Sequence, residues 1–474
     1  MNLFSLSSTT SGRTALAVAE RVLLGGVTFL VTILLGRWGG PAELGIFAIF
    51  FPLVFIAIAF QESLIIVPYM IYASTHPEGE ARRQYLGSVL IHTAILNLAV
   101  AAAFGVGAAW FAFEASDAYA VASLMLAAAV PCVLLREFAR RIVYAERRPD
   151  IAVVISGAVG AMQVAAMAGL YAAGYLTAAS SFAAMGISSI AGGLAWLYWN
   201  RREIQLRGAS VRDSFRLNWT LGGWSLGTQL SDIVSKHMFP WLLILATNEK
   251  TVGVFAACAV VASLPLPLHH ALSNMLVPEL VHTHRREGVR SARRLMLQAT
   301  GLLSGVMVAY LLVVAVLSGH VLPWIYGAKF AGFAGTAQTL IVLAAAQVLN
   351  GAALPASRAL LVFERPKQIF AAQVAGIVVN LALGVPLVAI WGIVGAAYAT
   401  LAGATLRAGL IAWWYAEEAR QSLHATADIQ ETALAGELIS PAQCALQLAP
   451  STSRRRHARA ATPSIADSVP EGIS

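Results

Sequence analysis

The stretch LGIFAIFFPLV (Leu44–Val54) holds no charged side chain and opens an apolar block that runs to residue 72. A hydrocarbon core about 30 Å thick needs roughly 20 apolar residues in a helix, and this block exceeds that length. It is not isolated. The 474-residue chain is 58% hydrophobic and 12% charged, against about 25% charged residues in soluble domains. Blocks of this kind predict twelve spans near 14–36, 44–72, 85–111, 119–140, 151–173, 178–199, 219–246, 252–280, 295–317, 333–357, 369–390 and 393–415. Barrel strands would be shorter and would alternate in polarity. The expected fold class is therefore an all-α integral membrane protein.

The opening stretch has a counterpart. VGVFAACAVVASLP (Val252–Pro265) opens the eighth span as Leu44–Val54 opens the second. PEGEARRQYLG (Pro77–Gly87) precedes the third span and REGVRSARRLM (Arg286–Met296) the ninth. RRIVYAERRPD (Arg140–Asp150) follows the fourth and RALLVFERPKQ (Arg358–Gln368) the tenth. Shared order at offsets of 208, 209 and 218 residues indicates tandem copies of a six-span unit. Six is even, so the copies run in parallel orientation about a central cavity. The boundaries expected are 1–199 for the first half, 200–218 for a basic linker, 219–415 for the second half and 416–474 for a tail.

Charge sets the topology. Of 32 Lys and Arg, three (Arg37, Lys250, Lys329) fall in outer loops and three (Arg21, Lys236, Arg407) are assigned to spans. The rest go to the cytoplasmic side, with the basic Arg140 and Arg358 segments read as loops. This positive-inside asymmetry places both termini in the cytoplasm. It also accounts for the net charge of +8 without a nucleic-acid partner. The tail, rich in Ser, Thr, Pro and Ala with an SRRRHAR cluster (Ser453–Arg459), is expected to be disordered, and reads equally as a solvated tail or as one that touches anionic lipid. No cleavable signal peptide is expected, because Glu20 and Arg21 interrupt the first apolar block.

Ionisable groups within spans cost roughly 2.5–3.5 kcal/mol each on insertion scales and face protein or a water-filled cavity. The candidates among them are Glu20 and Arg21 in the first span, Glu62 in the second, Asp232 and Lys236 in the seventh, and Arg407 in the twelfth. Arg21, Lys236 and Arg407 are the substrate-binding candidates for an anionic ligand, since a guanidinium can donate two hydrogen bonds to two oxygens. Glu20, Glu62 and Asp232 are the acidic members of this set. Asp232 and Lys236, four apart on one helix face, read equally as a self-neutralising structural pair. Prolines inside spans, Pro52, Pro68, Pro131, Pro240, Pro355 and Pro386 among them, permit the bends of a moving bundle. Cys132, Cys258 and Cys444 lack metal-type spacing, and His269–His270 are adjacent rather than a turn apart; neither a metal nor another cofactor is expected. No P-loop, H-E-x-x-H or dinucleotide fingerprint is present, so an enzyme is not expected.

The segment LLGRWGGPAELGIFAIFFPLV (Leu34–Val54) resembles the first signature of the polysaccharide flippases of the Wzx type, which handle O-antigen and exopolysaccharide precursors. Arg37, Gly40, Pro41, Gly45 and Phe47 carry the match, and WGIVGAAYAT (Trp391–Thr400) resembles the opening of the family's last span. That family shares a superfamily with MATE drug exporters and lipid II flippases. The resemblance covers residues 10–415. It implies a V-shaped monomer in the inner membrane that flips a polyprenyl-pyrophosphate-linked oligosaccharide to the outer leaflet by alternating access, driven by an ion gradient with Glu20, Glu62 or Asp232 as the ion-coupling carriers. Lipid and an associated polysaccharide polymerase would be its partners. A MATE-type exporter is the alternative; a lipid II flippase would show fourteen spans, and a polymerase or ligase a large outer loop.

Overall fold

The computed structural model describes residues 10–75, 79–114, 116–146, 148–201, 204–205, 211–266, 276, 280, 283, 286, 289–363 and 365–434. His269, His270, Cys444, the Ser453–Arg459 cluster and much of the linker and of the eighth span lie outside these residues. The described residues form helices and turns, with no strand among them. In chain order the helices are α1 (Thr10–Gly39), α2 (Pro41–Gln61), α3 (Val67–Thr75), α4 (Glu80–Phe113), α5 (Asp117–Ala145), α6 (Pro149–Ala172) and α7 (Ala178–Asn200). They continue with α8 (Val211–Ala246), α9 (Glu249–Ala262), α10 (Val289–Tyr326), α11 (Thr336–Val362) and α12 (Pro366–Leu434).

Nine helices among the described residues are long and apolar enough to cross a membrane. The ninth of these, Pro366–Gln421, is two crossings joined at Gly392, whose φ of 54° breaks the helix without a loop. Its two legs pack where Gly403 faces Asn380 and Gly376. Helix α8 has the length to cross, but Asn218, Gln229, Asp232 and Lys236 dilute its apolar content. The architecture is consistent with about twelve crossings. Helix α12 persists to Leu434, well past residue 416, where an irregular tail was expected. The Ala, Glu, Gln and Leu of AEEARQSLHATADIQETAL favour helix, which the overall tail composition concealed.

The repeated segments found in the sequence touch one another. A methyl group at Gly45 of α2 would lie 1.9 Å from the Glu249 carbonyl oxygen, and one at Gly253 of α9 would lie 1.8 Å from that of Pro41. Each glycine therefore admits the backbone of the other segment. Around this crossing, which defines the Pro41 end of the bundle, Arg37 donates to the carbonyls of Trp324 and Ile325 at 3.2 and 3.1 Å. Lys329 donates to the Trp38 carbonyl at 3.3 Å, and Tyr119 to Glu249 at 2.7 Å.

Between α2 and α3 the ladder lapses into a π-turn, Glu62–Ile66, closed from the Val67 N–H onto the Glu62 carbonyl. Pro68 supplies the reason: without an N–H it can close onto neither the Leu64 nor the Ser63 carbonyl. The Ser63 carbonyl is met instead by Gly222 of α8, where a methyl would lie 2.0 Å away; a Cα–H contact suits this approach. Gln229 donates to the Ser63 hydroxyl at 2.8 Å. Further along α8, the buried Tyr85 hydroxyl donates to Asn218 Oδ1 at 2.7 Å. Tyr85→Phe strips a buried acceptor of its partner, at a cost of about 1–3 kcal/mol. The thermal unfolding midpoint in detergent should fall accordingly, and an unchanged midpoint would show that Asn218 finds another donor.

Candidate functional site

Consecutive residues of α1 meet opposite environments, because neighbours on a helix point about 100° apart. Glu20 is buried, with 2% of its surface exposed, while Arg21 is exposed. The Glu20 carboxylate accepts from Arg140 at 3.2 and 3.3 Å, from the Tyr144 hydroxyl at 2.5 Å and from the Ser156 hydroxyl at 2.7 Å. Arg140 also pairs with Glu137 at 2.5 Å, and Glu137 with Arg136 at 2.7 Å. Two carboxylates and two guanidiniums thus close a network among α1, α5 and α6 with no formal net charge.

This corrects the assignment of Arg140 to a loop. Helix α5 runs to Ala145 and the turn begins at Glu146, so Arg136, Glu137, Arg140 and Arg141 are all helical. Arg358 is likewise inside α11, which ends at Val362. Charges at the end of a span read as a loop when their partners are far along the chain. Glu20 lies 120 residues before Arg140, and sequence spacing gives no sign of that contact. The available signal was local: Arg136, Glu137 and Arg140 sit at helical spacing on one face.

Beside the neutral network lies a charged group open to solvent. Arg141 pairs with Glu62 of the π-turn at 2.8 Å, both partly exposed. Arg21 lies within Coulombic range of Arg141 and of Arg358 of α11. Arg407 of α12 donates to Gln373 at 2.8 Å and to Asn350, and it lies within Coulombic range of Asp232. Lys236 and Asp232 pair at 2.6 Å, 58% and 48% exposed. Among the described residues, Arg21, Arg358 and Arg407 have no carboxylate at salt-bridge distance.

The six candidates named from sequence therefore separate. Arg21 joins the Arg141–Glu62 pair and Arg358; Asp232 and Lys236 lie beside Arg407; Glu20 is enclosed elsewhere in the neutral network. The arrangement offers two sets of donors to anionic groups, guanidiniums from α1, α5 and α11 in one and the α8 ammonium with the α12 guanidinium in the other, with a carboxylate holding one cation in each.

No family model matches the sequence, and no curated protein matches it either. The structure has relatives. An inward-facing MATE multidrug resistance transporter of the MOP superfamily superposes with a TM-score of 0.72 at 15% identity, over 86% of this chain and 99% of that one. An outward-facing MATE transporter gives 0.63 at 16% identity, over 87% and 96%. The lipid II flippase MurJ, in an inward closed conformation, gives 0.66 at 14% identity, over 92% and 95%. The chain has the fold of these solved structures. A multi-pass membrane architecture follows from this fold together with the apolar helices. The likeness reaches both a multidrug resistance transporter and a lipid II flippase, and at 15% and 14% identity it shows the fold alone.

Proposed function

We propose that the chain is a flippase that moves a polyprenyl-pyrophosphate-linked oligosaccharide from the inner to the outer leaflet of the inner membrane. The observation that supports this best is the excess of cations: Arg21, Arg358 and Arg407 lack salt-bridge partners among the described residues, with Arg141 and Lys236 nearby. A pyrophosphate supplies the missing negative charge. Two six-helix halves, 1–199 and 219–415, rock about the cargo, and the Pro41 end faces outward. The linker 200–218, the tail 416–474 and both termini are cytoplasmic, which fits the basic charge distribution. In this reading Arg21, Lys236 and Arg407 contact the cargo. Asp232 and Glu62, each paired with a cation yet partly exposed, serve ion coupling better than Glu20, whose two oxygens are already satisfied. The chain acts as a monomer beside a polysaccharide polymerase.

The test is complementation. Cells lacking the chain should accumulate lipid-linked oligosaccharide and lose surface polymer. Lys236→Ala or Arg21→Ala, at normal protein level, should restore about tenfold less polymer than the wild type, the loss of one charge-assisted contact. The second reading is a MATE-like cation-coupled exporter, favoured by the superposition on MATE transporters. Unchanged glycan together with altered sensitivity to cationic drugs would establish that reading and overturn the flippase.

A further inference from the structure

A row of aromatic rings climbs α2 at one-turn spacing. Phe47 stacks on Phe51 with centroids 4.8 Å apart, Phe51 meets Phe55 edge-on at 4.9 Å, and Phe55 stacks on His237 of α8 at 5.6 Å. Phe47 is buried and belongs to a hydrophobic core, where packing explains it. Phe51, Phe55 and His237 remain partly exposed, and Phe55 belongs to no buried cluster among the described residues.

Helix arithmetic places these rings relative to the charges. Phe55 precedes Glu62 by seven residues, two turns and roughly 10 Å along one face of α2. His237 directly follows Lys236. The part-exposed rings therefore lie between the charged group and the Pro41 end. A ligand whose anionic group sits among Arg21, Arg141 and Arg358 would extend toward them.

We propose that Phe51, Phe55 and His237 form a subsite for pyranose rings of the lipid-linked oligosaccharide, an inference that rests on the flippase reading. The faces of aromatic rings are negative, and the C–H bonds on one face of a pyranose are weakly positive, so the two stack through C–H contacts. The imidazole of His237 adds a donor and an acceptor for hydroxyl groups. Phenylalanine reads the apolar face of a sugar rather than the orientation of its hydroxyls, so the subsite accepts different hexoses.

The experiment measures binding of two probes to purified protein in detergent: bare polyprenyl pyrophosphate and the same lipid carrying one hexose. Wild type should hold the glycosylated lipid about tenfold more tightly, as expected for stacking on two rings. Phe55→Leu, which keeps the apolar bulk, should erase that difference, and Phe55→Tyr should keep it. Equal affinity of wild type for both lipids, or an undiminished difference in Phe55→Leu, would overturn the subsite while leaving the flippase in place. Failure of wild type to bind either lipid would overturn both. Folding of each variant is checked by its thermal midpoint, and Phe51→Leu provides a second substitution should Phe55→Leu not fold.

Discussion

Arg140→Ala should destabilise the protein by about 3–5 kcal/mol, because it leaves two buried carboxylates facing a single remaining cation. Glu20 would lose two hydrogen bonds and Glu137 two more. Among the described residues, Arg136 would remain as the salt-bridge partner of Glu137, while Glu20 would keep the Tyr144 and Ser156 hydroxyls but no cation. Both carboxylates sit within the helices, where water cannot replace a missing guanidinium at low cost. The measurement is the thermal unfolding midpoint in detergent followed by tryptophan fluorescence. Lys250→Ala is the control, since Lys250 is exposed and surface substitutions typically stay within about 0.5 kcal/mol. Equal midpoints for the two variants would mean that the network relaxes or admits water, and that its charges do not anchor α1.

Gly253→Leu should open the Pro41 end. A first side-chain carbon there would lie 1.8 Å from the Pro41 carbonyl oxygen and 2.9 Å from the Gly45 nitrogen. Backbone cannot step aside as a flexible side chain can, so the helices must separate. Overpacking of a close contact costs about 1–3 kcal/mol, and the seam pays it by parting. The readout is a cysteine placed at Leu44, which is fully buried, in a protein whose native cysteines are replaced. Its labelling by a membrane-impermeant thiol reagent should accelerate at least about tenfold in Gly253→Leu, given that 1.4 kcal/mol of opening is a factor of ten. Gly105→Leu, with nothing within 4 Å of the added carbon, should leave the rate unchanged. No acceleration in Gly253→Leu would show that α2 and α9 separate by some route that keeps Leu44 covered.

The helical class was readable from apolar block length alone, because a membrane imposes one dimension on every crossing. The Leu44 and Val252 segments could be recognised as copies from sequence. Their contact could not, since repeats reveal descent and order but not which surfaces meet. Gly45 and Gly253 carry that contact through the absence of a side chain. The site divides in the same way. Arg21, Asp232, Lys236 and Arg407 stood out as charges within apolar blocks, but among their neighbourhoods only the Asp232–Lys236 pair is local in sequence. Glu20 stood out as well, but its enclosure by Arg140, Tyr144 and Ser156 depends on helices more than a hundred residues away. Arg358 was hidden at the end of its span, where a helix and a basic loop have the same composition. Phe51 and Phe55 were hidden in a different manner: in an apolar helix, a ring that faces a cargo and a ring that fills a core are the same residue.

The π-turn at Glu62–Ile66 bears on how this span tolerates changes in length. Its i→i+5 closure holds one residue more than an α-helical turn requires. Deleting a residue from an ordinary stretch of α2 would rotate everything beyond it by about 100°, carrying Glu62 away from Arg141 or Phe55 away from His237. Deleting one from the π-turn would instead convert it to α-helix, and the rotation would be absorbed within a few residues. The second span thus contains a built-in slack loop, one residue long, placed where its two ends are tied to different neighbours. Chains of this fold that differ by a single residue in this span have somewhere to differ without losing either attachment.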